Sequence, residues 1–564
     1  MKPWRGRPTV WPALAGLAQA ASIAMPGSGL AQGWLQILSL AVLAAGLLRI
    51  AQTEATLAVA CRRAAWFGGV FATAWLAGSF WWLYVSMHDV GGLPAPLAAL
   101  AVLLLASAVS LFYVLASVAW VALSRRVPPH FQPLSSSALF AAVWTLAELM
   151  RGQWFTGFPW GAGGYAHVDG VLAVWAPWVG VYGMGFVAAF LAMRLALAGW
   201  RWAAVKPLAL VGLLSWAVQA WSPAFTTSAG VGQVELLQAN ILQSEKFDVR
   251  SGIRDALQWY DERLRASQQA LVVAPETAIP LLPRHLPEGY WSGLQQHFAQ
   301  PGRPLALIGV PLGSLAEGYA NAVVAMGPQG QADYRYDKHH LVPFGEFIPP
   351  GFAWFVRQMQ IPLGDFSRGR LDQSAIAWQG QRLSPNICYE DLFGEELAAH
   401  FKDGAQAPTA LVNVSNIAWF GNTIAVDQHL NISRMRAMEL GRPMLRATNT
   451  GATAIIDHQG RVTQQLPRFT RGTLVGRYEG RTGLTPYARW AAAWGLWPLW
   501  LICGAVLALA AAIGMGAAWY MEHHGHIVTG MNNQIVWGLP HVFAVFLVVA
   551  ASGALNVASM ASVF

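Results

Sequence analysis

LVVAPETAIP, residues Leu271–Pro280, is an apolar run that ends on a carboxylate. Leu271–Ala274 offers no polar position to solvent, the pattern of a central strand covered on both faces. Pro275 stops the strand and Glu276 stands at its end. ALVNV, Ala410–Val414, has much the same character. Further strands are predicted at Gln233–Ala239, Leu305–Val310, Ala322–Met326, Leu383–Ile387 and Met444–Ala447. Helices are predicted at Arg250–Ser267, Glu390–Phe401 and Thr423–Leu440. Together they make one α/β domain spanning 223–483.

Upstream the character changes. The 564-residue chain is 55% hydrophobic and only 11% charged, with 28 Trp, the composition of a membrane protein carrying a soluble part. Apolar spans are expected near 9–26, 31–48, 65–86, 95–123, 134–150, 171–193 and 207–222, so that 1–222 forms a helical bundle of about seven crossings. The first span contains Pro12 and Pro26 and is the least regular. No small-residue cleavage site follows it, so it is read as a span and not as a cleaved signal peptide. Beyond the α/β domain, 484–520 holds a return helix at Pro498–Tyr520, and 521–564 is an extra apolar extension.

The net charge of +8 does not form a nucleic-acid-binding face. With a cytoplasmic N-terminus, the cytoplasmic side carries Lys2, Arg5, Arg7, Arg49, Arg62, Arg63, Arg125, Arg126, Arg194, Arg201 and Lys206. The opposite gaps carry only Arg151. That positive-inside bias places the α/β domain outside the cytoplasmic membrane, in the periplasm of a Gram-negative cell. The three cysteines, Cys61, Cys388 and Cys503, form neither a CxxC pair nor a Cys/His cluster. No metal site and no disulfide framework are therefore expected.

Two further segments share the strand-end character of Glu276: DKHHLVPFGEFIP, with Lys338 and Glu346, and PNICYEDLFG, with Cys388 and Glu390. A thiol nucleophile, a carboxylate proton acceptor and a cation for the developing oxyanion are the parts that acyl transfer needs. Each residue alone has an ordinary reading, as a strand-edge acid, a surface amine or a small buried hydrophobe. Cys388, however, is the only cysteine of the domain, and it lies at a strand-to-helix junction where a helix N-terminus is expected to lower its pKa.

Taken in order, Glu276, Lys338 and Cys388 resemble the Glu-Lys-Cys triad of the nitrilase superfamily, the carbon–nitrogen hydrolases. The chain is most similar to the apolipoprotein N-acyltransferases within it. The resemblance covers roughly residues 10 to 515. It rests on FTGFPWGAGGY (Phe155–Tyr165), QANILQSEKFD, PETAIP, KHHLVPFGEFIP, FSRG, ICYE, SNIAWFG, ISRMRAMELGRPMLRATNTG and TGLTPYAR. It implies a polytopic α-helical membrane bundle joined to a nitrilase-like αββα sandwich. Cys388 would take an acyl chain from a phospholipid as a thioester and pass it to the α-amine of a diacylglyceryl-cysteine on an apolipoprotein. Glu276 would be the base and Lys338 the oxyanion cation. Glu346 and Glu390 would support them, and Tyr389 would line the pocket. The reaction would need no cofactor, and the enzyme would act as a monomer in the inner membrane.

The sequence departs from the family pattern in three places. Phe247 stands where Trp is usual, His339 where KNH is commoner, and Ile417 replaces an acid in SNIAWFG. Phe247, Phe347, Trp354, Trp419 and Phe420 are candidate lipid contacts, since aromatic side chains favour the membrane interface. Phe344, Phe352 and Phe355 flank the same loop. Arg151 and Trp160 are candidate headgroup contacts in an outward loop.

Two other classes compete. A tethered amidase or nitrilase would share the triad but needs a single anchor. A transporter needs charges inside its spans, and Glu148 is the one acid well inside a predicted span. The extension Met521–Phe564 resembles the start of a polysulfide-reductase-type membrane subunit and reads as a fusion. Truncation after Tyr520 is therefore expected to leave activity intact. The test is complementation of an acyltransferase-depleted strain by residues 1–520; failure at normal membrane abundance would show that the extension is functional.

Overall fold

The computed structural model describes residues 9–125, 132–199, 205–246, 248, 251–328, 334–349, 351 and 366–524. Phe247, Phe352, Trp354, Phe355, most of the extension, and Lys2, Arg5, Arg7, Arg126 and Arg201 lie outside them.

The first part is all helix: α1 (Val10–Ile23), α2 (Gly33–Thr53), α3 (Leu57–Phe80), α4 (Leu83–Val85), α5 (Ala95–Ser124), α6 (Gln132–Gln153), α7 (Ala176–Ala198) and α8 (Val205–Trp221). The long apolar runs settle this, because in lipid a helix alone satisfies its own backbone. Among the described residues five helices are long and apolar enough to cross a membrane. They become six if α3 and the segment Leu83–Val90, bent by 58°, count as one span. At 14 residues, α1 reaches about 21 Å, short of a bilayer core.

Glu148 is fully buried in α6 and accepts the Gly163 N–H at 2.8 Å, tying a loop to the bundle. In α7, Gly180 breaks the helix at φ 65°, ψ −175°, and the Val181 N–H that the break frees donates to Glu439 Oε1 at 2.7 Å. A side chain at Gly180 would collide with Tyr487. The helix break is thus a docking notch for the next domain.

That domain is a four-layer sandwich. One six-stranded sheet runs β12–β1–β2–β3–β4–β5 and the other β11–β10–β9–β8–β7–β6. The strands are β1 (Thr226–Gln238), β2 (Leu271–Val273), β3 (Leu305–Ser314), β4 (Gly318–Met326), β5 (Arg335–Asp337), β6 (Ile376–Trp378), β7 (Gln381–Ile387), β8 (Ala410–Ser415), β9 (Met444–Thr448), β10 (Ala454–Ile456), β11 (Val462–Gln465) and β12 (Gly472–Gly483). The alternation seen in the sequence decides the layers. Leu271 and Val273 join Leu383, Val412 and Val414 between the sheets. Val272 and Ala274 instead meet Ala256, Leu264, Leu294 and Phe298 of α9 (Gly252–Ala266) and α10 (Tyr290–Phe298). The outer face of the second sheet packs on α11 (Gly394–Ala399), α12 (Ala425–Leu440) and α13 (Pro486–Trp494). Finally, α14 (Trp497–His524) returns to α6.

One predicted element differs. Glu390–Phe401 is not one helix: a 3₁₀ turn, Cys388–Leu392, breaks at Phe393 before α11 begins. The reason is that the Glu390 side chain turns back to accept the Ile387 N–H at 2.6 Å.

Catalytic and helical halves share one apolar core, in which Tyr389, Leu392, Phe393, Ile417 and Met435 pack among bundle residues. The indole N–H groups of Trp82 and Trp160 both donate to Gln428 Oε1 on α12, at 3.0 and 2.8 Å.

Candidate active site

Each of the three central residues stands just beyond the end of a strand. Glu276 follows β2, Lys338 follows β5 and Cys388 follows β7, so that parallel and antiparallel neighbours bring their ends to one place. Lys338 Nζ donates to Glu276 Oε1 at 3.3 Å and lies 2.9 Å from Glu346 Oε2. Asn321 in β4 uses one amide nitrogen twice, donating to Glu276 Oε1 at 2.7 Å and Glu346 Oε1 at 2.8 Å. Glu276 Oε2 accepts the Asn416 N–H at 2.8 Å. All of these residues are buried.

Burial alone would raise the Glu276 pKa. The charges of Lys338 and Lys246, with hydrogen bonds from Asn321 and Asn416, outweigh it and hold the carboxyl below its ordinary range. Lys338 is driven the other way: burial opposes its charge, but Glu276 and Glu346 keep it firmly protonated. The site therefore holds a ready base beside a fixed cation.

Cys388 is half-buried and adopts φ 52°, a left-handed corner that a side chain rarely takes. The corner ends β7 and leaves the Cys388 side chain packed against the apolar layer between the sheets. The expectation that a helix N-terminus lowers this thiol is overturned. Burial, then the Glu276 charge, push it up to about 12, and Lys338 opposes only in part. The break at Phe393 leaves no helix behind Cys388 to stabilise a thiolate. At neutral pH the group is a thiol, so a nucleophilic role would require its proton to leave during attack.

Glu390 holds this corner to the lysine loop. Oε1 accepts the N–H groups of His339 at 2.7 Å and His340 at 3.2 Å; Oε2 accepts the Ile387 N–H and the Tyr336 hydroxyl at 3.0 Å. Burial raises its pKa to about 7, and its two oxygens already accept four donors, which ties the carboxyl to a bracing role. Every partner is a donor, and glutamine at this position leaves at least one buried donor without an acceptor, a cost of about 1–3 kcal/mol. Glu390→Gln is expected to lower the thermal midpoint and cut activity at least about tenfold. A thermal melt and an initial-rate assay on the purified variant check this; wild-type values in both would remove Glu390 as the brace.

Other candidates fall in different places. Tyr389 is buried and donates to the Gly157 carbonyl at 3.1 Å, stitching the nucleophile turn to the bundle loop. Phe420 packs on Trp82 with ring centroids 4.2 Å apart, and Trp419 beside it is partly exposed. Phe347 lies under Arg368 in the loop after Lys338. Arg151 and Trp160 lack the exposure that headgroup contact requires. Arg151 is buried, donating to Tyr113 Oη and to the carbonyls of Phe158 and Trp160. His339 donates its backbone N–H to Glu390 and places Nδ1 2.8 Å from the Gly369 carbonyl, while Ile417 is simply buried.

Three residues not singled out in the sequence belong to the site. Asn321 is the one polar residue in the apolar run of β4, which was its signal. Lys246 sits in the quoted QSEKFD segment. Asp391, fully buried behind Cys388, accepts from His429 Nε2 at 2.8 Å and from Arg446 and Ser433. No group of three or more His, Cys, Asp or Glu side chains suited to a metal occurs among the described residues. What remains is a thiol, a low-pKa carboxylate and a buried ammonium, a set able to transfer an acyl group.

Two regions of the chain match known protein families. Residues 15–194 match the apolipoprotein N-acyltransferase N-terminal domain, and residues 233–487 match the carbon-nitrogen hydrolase family. An apolipoprotein N-acyltransferase of Verminephrobacter eiseniae is 55% identical over 509 residues, covering 86% of this chain and 93% of its own length. One from Ralstonia nicotianae is 47% identical over 460 residues, 81% and 85% of the two chains. One from Bordetella bronchiseptica is 40% identical over 560 residues, 89% and 96%.

Proposed function

This chain belongs to the apolipoprotein N-acyltransferase family, and we propose that it moves a fatty acyl chain from a glycerophospholipid to the α-amino group of an N-terminal diacylglyceryl-cysteine, through a thioester on Cys388. Membership makes it a membrane-bound N-acyltransferase acting in lipoprotein maturation. The observation that carries the finer reading is the position of the nucleophile turn. Cys388 opens the turn whose next residue, Tyr389, is bonded to the bundle loop at Gly157. A lipid ester arriving from the bilayer meets the thiol at that seam.

In the first half-reaction Glu276 takes the Sγ proton as sulfur bonds to the ester carbonyl carbon. The oxyanion that forms is stabilised by Lys338. Its collapse breaks the ester C–O bond, and the lysophospholipid oxygen leaves with the proton held by Glu276. In the second half the α-amine attacks the thioester, Glu276 accepts an amine proton, the C–S bond breaks, and the proton returns to sulfur. Glu346 and Asn321 orient Lys338 and Glu276, and Glu390 orients the nucleophile turn. Phe347, Trp419 and Phe420 contact lipid, with Phe247 and Trp354 assigned the same task from the sequence.

The positive-inside count supports an inner-membrane protein with residues 1–222 as the bundle and 223–483 in the periplasm. The test is incubation with acyl-labelled phospholipid and a synthetic diacylglyceryl-cysteine peptide. A labelled N-acyl peptide is expected. Release of free fatty acid alone would instead make the protein a hydrolase.

A further inference from the structure

The turn that presents Glu276 is held by a second lysine. Lys246 lies in the turn after β1, buried, with Nζ 3.2 Å from the Glu276 carbonyl oxygen and donating to Thr277 Oγ1. Thr277 occupies the left-handed region at φ 47°, so the turn needs an outside hold. Gly309 lies close beneath it: a Cβ there would meet the Pro275 carbonyl oxygen. The Lys246 turn is itself anchored, since Gln243 Oε1 accepts from Asn416 Nδ2 at 2.8 Å, and the Asn416 N–H donates to Glu276.

The groups facing Glu276 are Lys338 after β5, Glu346 in the loop beyond it, Lys246 after β1, Cys388 after β7, and the neutral amides Asn321 and Asn416. Two carboxylates thus face two ammonium groups. Lys338 is shared, in contact with both Glu276 and Glu346. Without Lys246 the pocket would hold two buried carboxylates against one cation, and a buried site relieves such an excess by binding a proton. The proton would settle on the base.

We propose that Lys246 is a positioning residue for acyl transfer: it clamps the Glu276–Thr277 turn and supplies the second positive charge that lets Glu276 stay ionised beside Glu346. Transfer of the Cys388 proton to Glu276 then moves one negative charge from carboxylate to sulfur within a pocket whose total charge stays balanced. Burial lowers the Lys246 pKa to about 8, against the pull of Glu276 and Cys388, so the group is charged at neutral pH, as the balance requires.

The inference rests on Glu276 being the base. The experiment is the pH dependence of acyl-enzyme formation with labelled phospholipid, in the full-length protein and in Lys246→Gln and Lys246→Arg. Glutamine removes the charge while still offering an N–H from a side chain one atom shorter; arginine keeps the charge. In Lys246→Gln the acid limb is expected to move to higher pH by at least about one unit, the effect of removing one adjacent cation. In Lys246→Arg the limb is expected to stay with the wild type. An unmoved limb in Lys246→Gln, or an arginine variant shifted as far as glutamine, overturns the proposal. Failure of the base assignment is read separately: Glu276→Gln would then form acyl-enzyme normally, whatever the Lys246 variants do.

Discussion

Cys388→Ala abolishes acyl transfer, with an expected loss of at least about 10⁴-fold, because the variant lacks the atom that carries the acyl chain. Cys388→Ser falls nearly as far. The wild-type thiol already resists ionisation, pushed up to about 12 by burial and by Glu276. A serine hydroxyl resists more, and the ester it would form is a poorer acyl donor to an amine than a thioester. Neither change removes a hydrogen bond on which the fold depends, since Glu390 braces the corner through the N–H groups of Ile387, His339 and His340. Both variants are therefore expected in the membrane at wild-type level. Quantitative blotting beside the peptide assay checks this, and wild-type-like turnover by the alanine variant would end the mechanism.

Glu276→Gln is expected to block thioester formation by at least about 10³-fold, and Lys338→Ala to slow it by at least about 10². The glutamine change acts twice. It removes the proton acceptor, and it offers an amide N–H₂ to a site where Lys338, Asn321 and Asn416 all donate. The lysine change removes the cation from the oxyanion and leaves Glu276 and Glu346 facing each other without it. In the wild type Glu276 sits below the ordinary carboxylate range, and its ionised form is the active one. Acylation should therefore hold its rate from neutral pH through the usual carboxylate range and fall only below it. A mobility shift of the acyl-enzyme, read across pH, tests all three statements. Normal thioester accumulation in Glu276→Gln would remove Glu276 as the first-half base.

Much of this was legible in the chain because its signals are local. LVVAPETAIP encodes a strand and its stop, and the apolar runs before Trp221 match the helices within about five residues, except that α3 begins well ahead of its predicted run, at Leu57. The triad was readable because each member sits in a motif of its own, PETAIP, KHHLVPFGEFIP or ICYE. What escaped depends on tertiary register. Asn321 lies mid-strand, and only the β3–β4–β5 pairing aims its amide at two glutamates from different loops. Lys246 lies in a polar turn, and nothing local to that turn tells of the Glu276 carbonyl it meets across the fold. Arg151 illustrates the opposite error. An arginine at a predicted membrane edge reads as a headgroup contact, yet it folds inward to bond two carbonyls and a tyrosine hydroxyl. Strand β12 was missed because its charged residues alternate with glycines, and only pairing along β1 makes it a strand.

The central claim is a thioester on Cys388 that lies on the path to product. Purified protein is mixed with acyl-labelled phospholipid in the absence of acceptor, and its intact mass is recorded. A diacylglyceryl-cysteine peptide is then added and the decay followed. The account predicts one hydroxylamine-labile acyl group at Cys388, discharged onto the peptide amine at least as fast as overall turnover. N-acyl peptide formed at full rate with no acyl group ever on Cys388 would contradict it.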